Sequence, residues 1–242
     1  MSNTILRNEN VSVTLKSLGG ELTSIKDASG TEYLWQGNPK FWSGQAPVLF
    51  PIVGCLRNGT ATIGDNKTCS FGRHGLARRL EFDLVSSSDT CITYSLKAND
   101  KTKEQYPYDF ELQMTYELTE HGVKVSHTVI NHDSVVMPYC VGGHPAFNCP
   151  VFENESFEDY IVEFEQPENA TCAQLSEDGL INNADRVSVL ENEAFIPVRH
   201  SLFYKDALVF DALKSRKVAL KHKKTGHGIL VSFPDFDYLG VW

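Results

Sequence analysis

Leu112-Gln113-Met114-Thr115-Tyr116-Glu117-Leu118 places apolar side chains at every second position. After Thr119-Glu120-His121-Gly122 the alternation resumes as Val123-Lys124-Val125-Ser126-His127-Thr128-Val129. Side chains that alternate between two faces belong to a strand. Two such runs around a short polar break predict a β-hairpin with one face buried. The same period runs through Leu80, Phe82 and Leu84, and through Ile92, Tyr94 and Leu96. It returns in Val218 and Leu220, then in Ile229 to Phe233 after a Lys224-Thr225-Gly226 turn. Asp27-Ala28-Ser29-Gly30, Gly64-Asp65-Asn66 and Asn99-Asp100 read as further turns. No stretch carries the apolar spacing of an amphipathic helix of normal length. The expectation is an all-β chain, a large antiparallel sandwich or barrel. Glu153 to Asn192 is more acidic and less regular, and reads as an excursion at one edge.

The 242 residues, 41% of them hydrophobic, are enough for one large β domain over 1–242. No repeat, linker or low-complexity stretch interrupts them. A formal net charge of −9 argues against nucleic acid or an anionic membrane as partner. It leaves a small polar molecule as the expected ligand. The six cysteines are scattered, at 55, 69, 91, 140, 149 and 172, without a C-x-x-C pair. They read as ordinary buried thiols, not as a disulfide framework or a zinc site. The N-terminal run Met1 to Asn10 has no basic stretch followed by an apolar one, and no apolar run approaches a membrane span. A reducing cytoplasm is the expected compartment. No feature of the sequence sets an oligomeric state.

Two histidines stand in unusual backbone contexts. His144 lies in Gly142-Gly143-His144-Pro145-Ala146-Phe147-Asn148-Cys149-Pro150, where glycines allow a close approach and prolines stiffen the chain. His74 lies in Phe71-Gly72-Arg73-His74-Gly75-Leu76-Ala77-Arg78. Histidines held this way suit proton exchange near neutral pH. The plainer reading of His144 is a rigid turn whose imidazole only bonds to backbone. A metal pair is a third reading, without the spacing of a known ligand motif. His127 falls on the apolar face of its strand and reads as a core residue. His121, His132, His200, His222 and His227 sit in or near polar turns and read as solvated. Arg73, Arg78 and Arg79 form either surface charge or a guanidinium patch for an anionic or hydroxyl-rich ligand. Trp35, Trp42, Phe50, Tyr106 and Tyr108 read mainly as core, although sugar sites use such faces too.

Several stretches together resemble the aldose 1-epimerase (galactose mutarotase) superfamily, in its LacX-like branch. They are Glu32-Tyr33-Leu34-Trp35-Gln36-Gly37, Ala46-Pro47-Val48-Leu49-Phe50-Pro51-Ile52-Val53-Gly54, His74-Gly75-Leu76-Ala77-Arg78, Gly142 to Phe147, and Asp237-Tyr238-Leu239-Gly240-Val241-Trp242. They occur in order over nearly the whole chain. The resemblance implies a large antiparallel β-sandwich, called a supersandwich, that binds a hexose or hexose phosphate. It implies interconversion of α and β anomers without metal or organic cofactor. A carboxylate base takes the C1 hydroxyl proton, a histidine protonates the ring oxygen, and the opened sugar recloses. By position, His144 matches the general acid and His74 the second histidine near the ring oxygen. Arg78 matches an arginine that binds substrate, with Leu76 in place of the usual phenylalanine. Asp206, in Lys205-Asp206-Ala207-Leu208-Val209-Phe210, matches an aspartate that holds hydroxyls. Where the family has an arginine after Phe-Pro-Ile-Val-Gly, this chain has Cys55. Arg57, two residues on, would share its face in a strand and bind substrate in its stead. The family's base glutamate lies beyond the Tyr-Leu-Gly-Val-Trp strand, where this sequence ends, and no residue here matches it. The expected fold is thus the family sandwich without its C-terminal strands, and the enzyme reading stands beside that of a non-catalytic carbohydrate-binding homologue.

Overall fold

Alternation of apolar and polar side chains does generate the main sheets. A computed structural model describes residues 3–64 and 66–242; Met1, Ser2 and the Asp65 of the expected turn lie outside the described residues. The strands are β1 (Asn3–Arg7), β2 (Val11–Lys16), β3 (Glu21–Asp27), β4 (Val48–Leu49), β5 (Thr60–Ile63), β6 (Lys67–Ser70), β7 (Asp83–Ser87), β8 (Cys91–Lys97), β9 (Phe110–Leu118), β10 (Val123–Asn131), β11 (Gly142–Gly143), β12 (Tyr160–Leu175), β13 (Ile181–Pro197), β14 (Leu208–Phe210), β15 (Lys217–His222), β16 (Gly228–Ser232) and β17 (Leu239–Val241). Every paired strand among them is antiparallel. One α-helix, Asp100–Gln105, appears among the described residues. None of their helices is long and apolar enough to cross a membrane.

Contacts cluster into two units, Met1–Phe147 and Asn148–Trp242. In the first, β1-β2-β3 form one sheet and β10-β9-β8-β7 another. The opening hairpin is β9 and β10, in register from Leu118↔Val123 to Asn131↔Phe110. Leu112, Met114 and Tyr116 are buried as their alternation requires, with Val13, Leu15, Ile92 and Tyr94 in the same core. In the second unit, β13-β12-β15-β16 form a sheet and β14 pairs with β17. Its core gathers Tyr160, Phe164, Cys172, Leu190, Phe210 and Val218.

Five expectations change. Leu84 is exposed, because every residue of edge strand β7 is, and Leu80 lies outside a strand. Asn99 does not turn the chain; its side chain caps the helix by accepting from Thr102 N–H, with Thr102 Oγ1 accepting from Asn99 N–H in return. The acidic stretch from Glu153 to Asn192 carries the two longest strands, β12 and β13. They pair through four register shifts, and although β12 keeps Tyr160, Val162, Phe164, Ala170 and Cys172 buried on one face, polar residues interrupt that series and β13 is mostly exposed. One break is filled by buried Glu168, whose carboxylate accepts from Ser215 N, Ser215 Oγ and Lys214 N. Finally, Arg57 is not on a strand: Arg57–Gly59 is an exposed 3₁₀ turn with Asn58 at φ 56°, so Arg57 does not share a strand face with Cys55. The thiols are free; Cys69 and Cys172 are buried, while Cys140 is exposed against expectation.

Candidate active site

His144 follows β11, whose two glycines pair with Val48 and Leu49 of β4. Its segment is held from both sides. His144 N–H donates to Pro47 O at 3.2 Å and Ala146 N–H to Gln45 O at 2.9 Å, while Trp35 N–H donates to Ala146 O at 2.9 Å. Trp35 also donates its indole N–H to Trp42 O at 2.8 Å, which sets Trp42 against the His144 ring at 5.2 Å between centroids. Gly44 makes room for that indole: a Cβ there would lie 2.4 Å from the Trp42 ring.

His74 arrives from a separate loop. Its backbone sits at φ 68°, and Gly75 follows at φ 74°. A Cβ on Gly75 would meet Phe50 O at 2.2 Å, so only glycine lets the loop run this close to the Phe50 strand. His74 and Gly54 bind each other twice. His74 N–H donates to Gly54 O at 2.8 Å, and Gly54 N–H donates to His74 Nδ1 at 3.0 Å. An Nδ1 that accepts carries no proton, so the neutral ring holds its hydrogen on Nε2. That nitrogen is a donor.

The two loops bring the rings to 5.3 Å, edge to face. Burial, the neighbouring His144 charge, and then Arg78 and Arg73 hold His74 down at about 4. His144 is also lowered, by burial first and by Arg78 and Arg73, against a hydrogen bond to its own backbone that raises it. Because His144 charge is among the causes that depress His74, a proton on one ring disfavours a proton on the other. The plain turn reading of His144 therefore omits a second histidine and two guanidinium groups.

Arg78 lies in the 3₁₀ turn Ala77–Arg79, half-buried, and Arg73 is exposed beside His74. Arg73 acts on both rings, and Trp42 packs on one of them. Both were legible only as members of a cluster, a basic run and an aromatic set. Asp206 belongs to the second unit, exposed and at φ 73°, with its carboxylate accepting from Ala207 N–H. Among the described residues, no group of three or more His, Cys, Asp or Glu side chains is arranged to hold a metal ion. His127, half-buried on β10, is held at about 4 by burial alone.

Comparison with known proteins supplies the family. The aldose 1-epimerase family model matches residues 2–240. The chain belongs to the aldose 1-epimerase family. It is 43% identical over 243 residues to the plasmid form of protein LacX from Lactococcus lactis subsp. lactis, covering 98% of this chain and 81% of that protein. Among solved structures, it is similar to a galactose mutarotase related enzyme from Lactobacillus acidophilus, with TM-score 0.93 and 30% identity over 100% of this chain and 80% of that one. A galactose mutarotase-like protein from Lactobacillus casei gives TM-score 0.91 and 30% identity, over 100% of this chain and 82% of that one. The fold of this aldose 1-epimerase family member is thus the galactose mutarotase-like antiparallel one, and the family implies a sugar as substrate.

Proposed function

We propose that this chain interconverts the α and β anomers of a hexose or hexose phosphate, with His144 as general acid at the ring oxygen and His74 as a neutral donor beside it. Family membership supports the sugar class. The observation that carries the residue roles is the His74–His144 pair at 5.3 Å, with Gly54 N–H on the His74 Nδ1. Ring opening requires the ring oxygen to gain a proton as the C1 hydroxyl loses one to a base. The C1–O5 bond then breaks, the C1–C2 bond rotates, and the reverse transfers close the other anomer. His144, packed against Trp42 and His74, delivers the proton to the ring oxygen, and His74 Nε2–H steadies the same region as a hydrogen-bond donor. Arg73 and Arg78 offer fixed forks of N–H groups to hydroxyls or to a phosphate.

A second reading, a carbohydrate-binding homologue without turnover, is favoured by one observation. Cys55 stands where the family has an arginine, and Arg57 is turned into a 3₁₀ turn instead of a strand. Polarimetric decay of freshly dissolved α-D-glucose and α-D-galactose, and a coupled assay with α-D-glucose 6-phosphate, separate the two. Acceleration proportional to protein concentration, lost in His144→Ala, is the result expected of the mutarotase. Saturable sugar binding with buffer-like decay of all three sugars would replace it by the binding protein.

A further inference from the structure

Glu21 opens β3 with 5% of its surface exposed. A buried carboxylate costs several kcal/mol unless charge and hydrogen bonds compensate it. Here both oxygens are occupied. Oε1 accepts from Ala46 N–H at 2.8 Å and Gln45 N–H at 3.3 Å, while Oε2 pairs with Lys16 Nζ at 2.7 Å.

The peptide that Glu21 grips has a second use. Ala46 N–H and Gln45 C=O belong to one planar trans amide and point in opposite directions. That C=O accepts from Ala146 N–H at 2.9 Å, and the next carbonyl but one, on Pro47, accepts from His144 N–H at 3.2 Å. Rotation of the Gln45–Ala46 amide would release the segment that carries His144. The Gln45 side chain adds a tether, donating from Nε2 to Thr23 O at 2.8 Å. The carboxylate also favours the charged form of Arg78.

We infer that Glu21 is a positioning residue: it orients the Gln45–Ala46 peptide, and through that peptide holds the His144 imidazole against Trp42 and His74. Its kinetic consequence rests on the mutarotase reading; its structural consequence does not. Three variants separate hydrogen bonding from charge. Glu21→Gln keeps an oxygen for the two N–H groups but loses the ion pair. Glu21→Asp keeps the charge but is one methylene too short. Glu21→Ala loses both.

Side-chain NMR of His144 and its ring contact with Trp42 give the direct readout. Glu21→Gln should leave the His144 signals near their original positions, while Glu21→Asp and Glu21→Ala should shift them and weaken the Trp42 contact. In the mutarotation assay the two displaced variants should lose ~10–10²-fold in kcat, with KM little changed. If Glu21→Ala does not fold, Glu21→Asp against Glu21→Gln decides. Unmoved His144 signals in a folded Glu21→Asp, or a Glu21→Gln displaced as far as Glu21→Asp, would overturn the inference. If the unaltered protein does not accelerate mutarotation, the proposed function fails and the NMR comparison still decides the role of Glu21.

Discussion

Each unit of this chain carries a pair of histidines with nearly the same spacing. His74 and His144 stand 5.3 Å apart, edge to face; His222 and His227 stand 5.4 Å apart, stacked within 11°. Their surroundings differ in sign. The first pair faces Arg73 and Arg78, which push its protons off. The second is tied to hydroxyls and an acid. Thr225 Oγ1 lies 2.6 Å from His227 Nδ1 and 3.1 Å from His222 Nδ1, and His227 Nε2 lies 3.2 Å from Glu155. Tyr160 donates its hydroxyl to Glu155, lies 3.1 Å from His227 Nε2, and accepts from Val151 N–H at 3.0 Å. Spacing alone does not make a proton-transfer site. A pair closed on itself by local partners is a clamp, whereas a pair with one tautomer fixed by backbone and a donor nitrogen turned elsewhere is equipped to act on a ligand.

The widest separation between the pairs should appear in turnover. His144→Ala is expected to lose ~10²–10⁴-fold in mutarotation, the usual worth of a positioned proton donor. His74→Asn should weaken sugar binding and slow the reaction together. His227→Ala should change kcat by less than about threefold, since its ring serves a local network. Polarimetry on the three purified variants, with calorimetry for sugar affinity, makes the comparison. Equal losses in His144→Ala and His227→Ala would erase the distinction.

That distinction was half legible in the sequence. Gly75 after His74 marked that ring through the backbone it needs, whereas Gly142 and Gly143 before His144 have no positive φ. Glycines flank the second pair too: Gly226 and Gly228 enclose His227 at φ 76° and 157°, and a Cβ on Gly228 would lie 2.0 Å from Leu220 O. His222 reads as a solvated turn residue, yet it is 8% exposed, because its ring packs edge-on against buried Tyr160. His200 and His132 are exposed as read, His200 stacking on Phe157 at 4.4 Å and His132 lying 3.1 Å from Glu111. Period-two alternation found β8 and β9 through buried Ile92, Tyr94, Leu112, Met114 and Tyr116, and β10 through the hairpin, although Val125 is exposed. It missed β12, where polar Glu168 takes an inward position, and β13, which is mostly exposed, and it misread β7, an edge strand exposed throughout. Arg57 misled for a related reason: counting by two assumes a strand, and Asn58 at φ 56° ends that assumption. Glu21 carries no motif at all. Its role depends on a loop 24 residues away in sequence.

Stability against acid should show the next largest effect. Burial holds His127 at about 4, below its ordinary 6.5. The unfolded chain therefore takes up a proton first as pH falls. The sign follows: no penalty exists above pH 6.5, stability drops between 6.5 and 4, and the loss is complete below 4. One group shifted this far costs roughly 3 kcal/mol at the acid end. Urea denaturation of His127→Gln across this range should show a slope shallower by about one proton. A slope as steep as in the unaltered protein would mean that His127 titrates normally. The second unit's clamp should respond to Tyr160→Phe with a loss of about 1–3 kcal/mol, since Val151 N–H and Glu155 lose a partner. Mutarotation should be unaffected.

The smallest effect tests the sign of the field around the first pair. Two-dimensional NMR titration should find His144 below its ordinary value of 6.5 and His74 lower still, at about 4. Removing one positive charge in Arg73→Gln should raise both values, because a guanidinium nearby disfavours a second cation. Arg73 is exposed and water screens it, so the rise is expected to be small. Added salt should reduce the difference between the two proteins for the same reason. His127 serves as an internal reference, since burial alone shifts it. Should its titration move as far as those of His74 and His144, the change would report a general loosening of the protein and not the charge at residue 73. Movement confined to the first pair would instead assign to the Arg73 guanidinium, which the sequence left as either surface charge or a ligand patch, its share of a depression that burial begins.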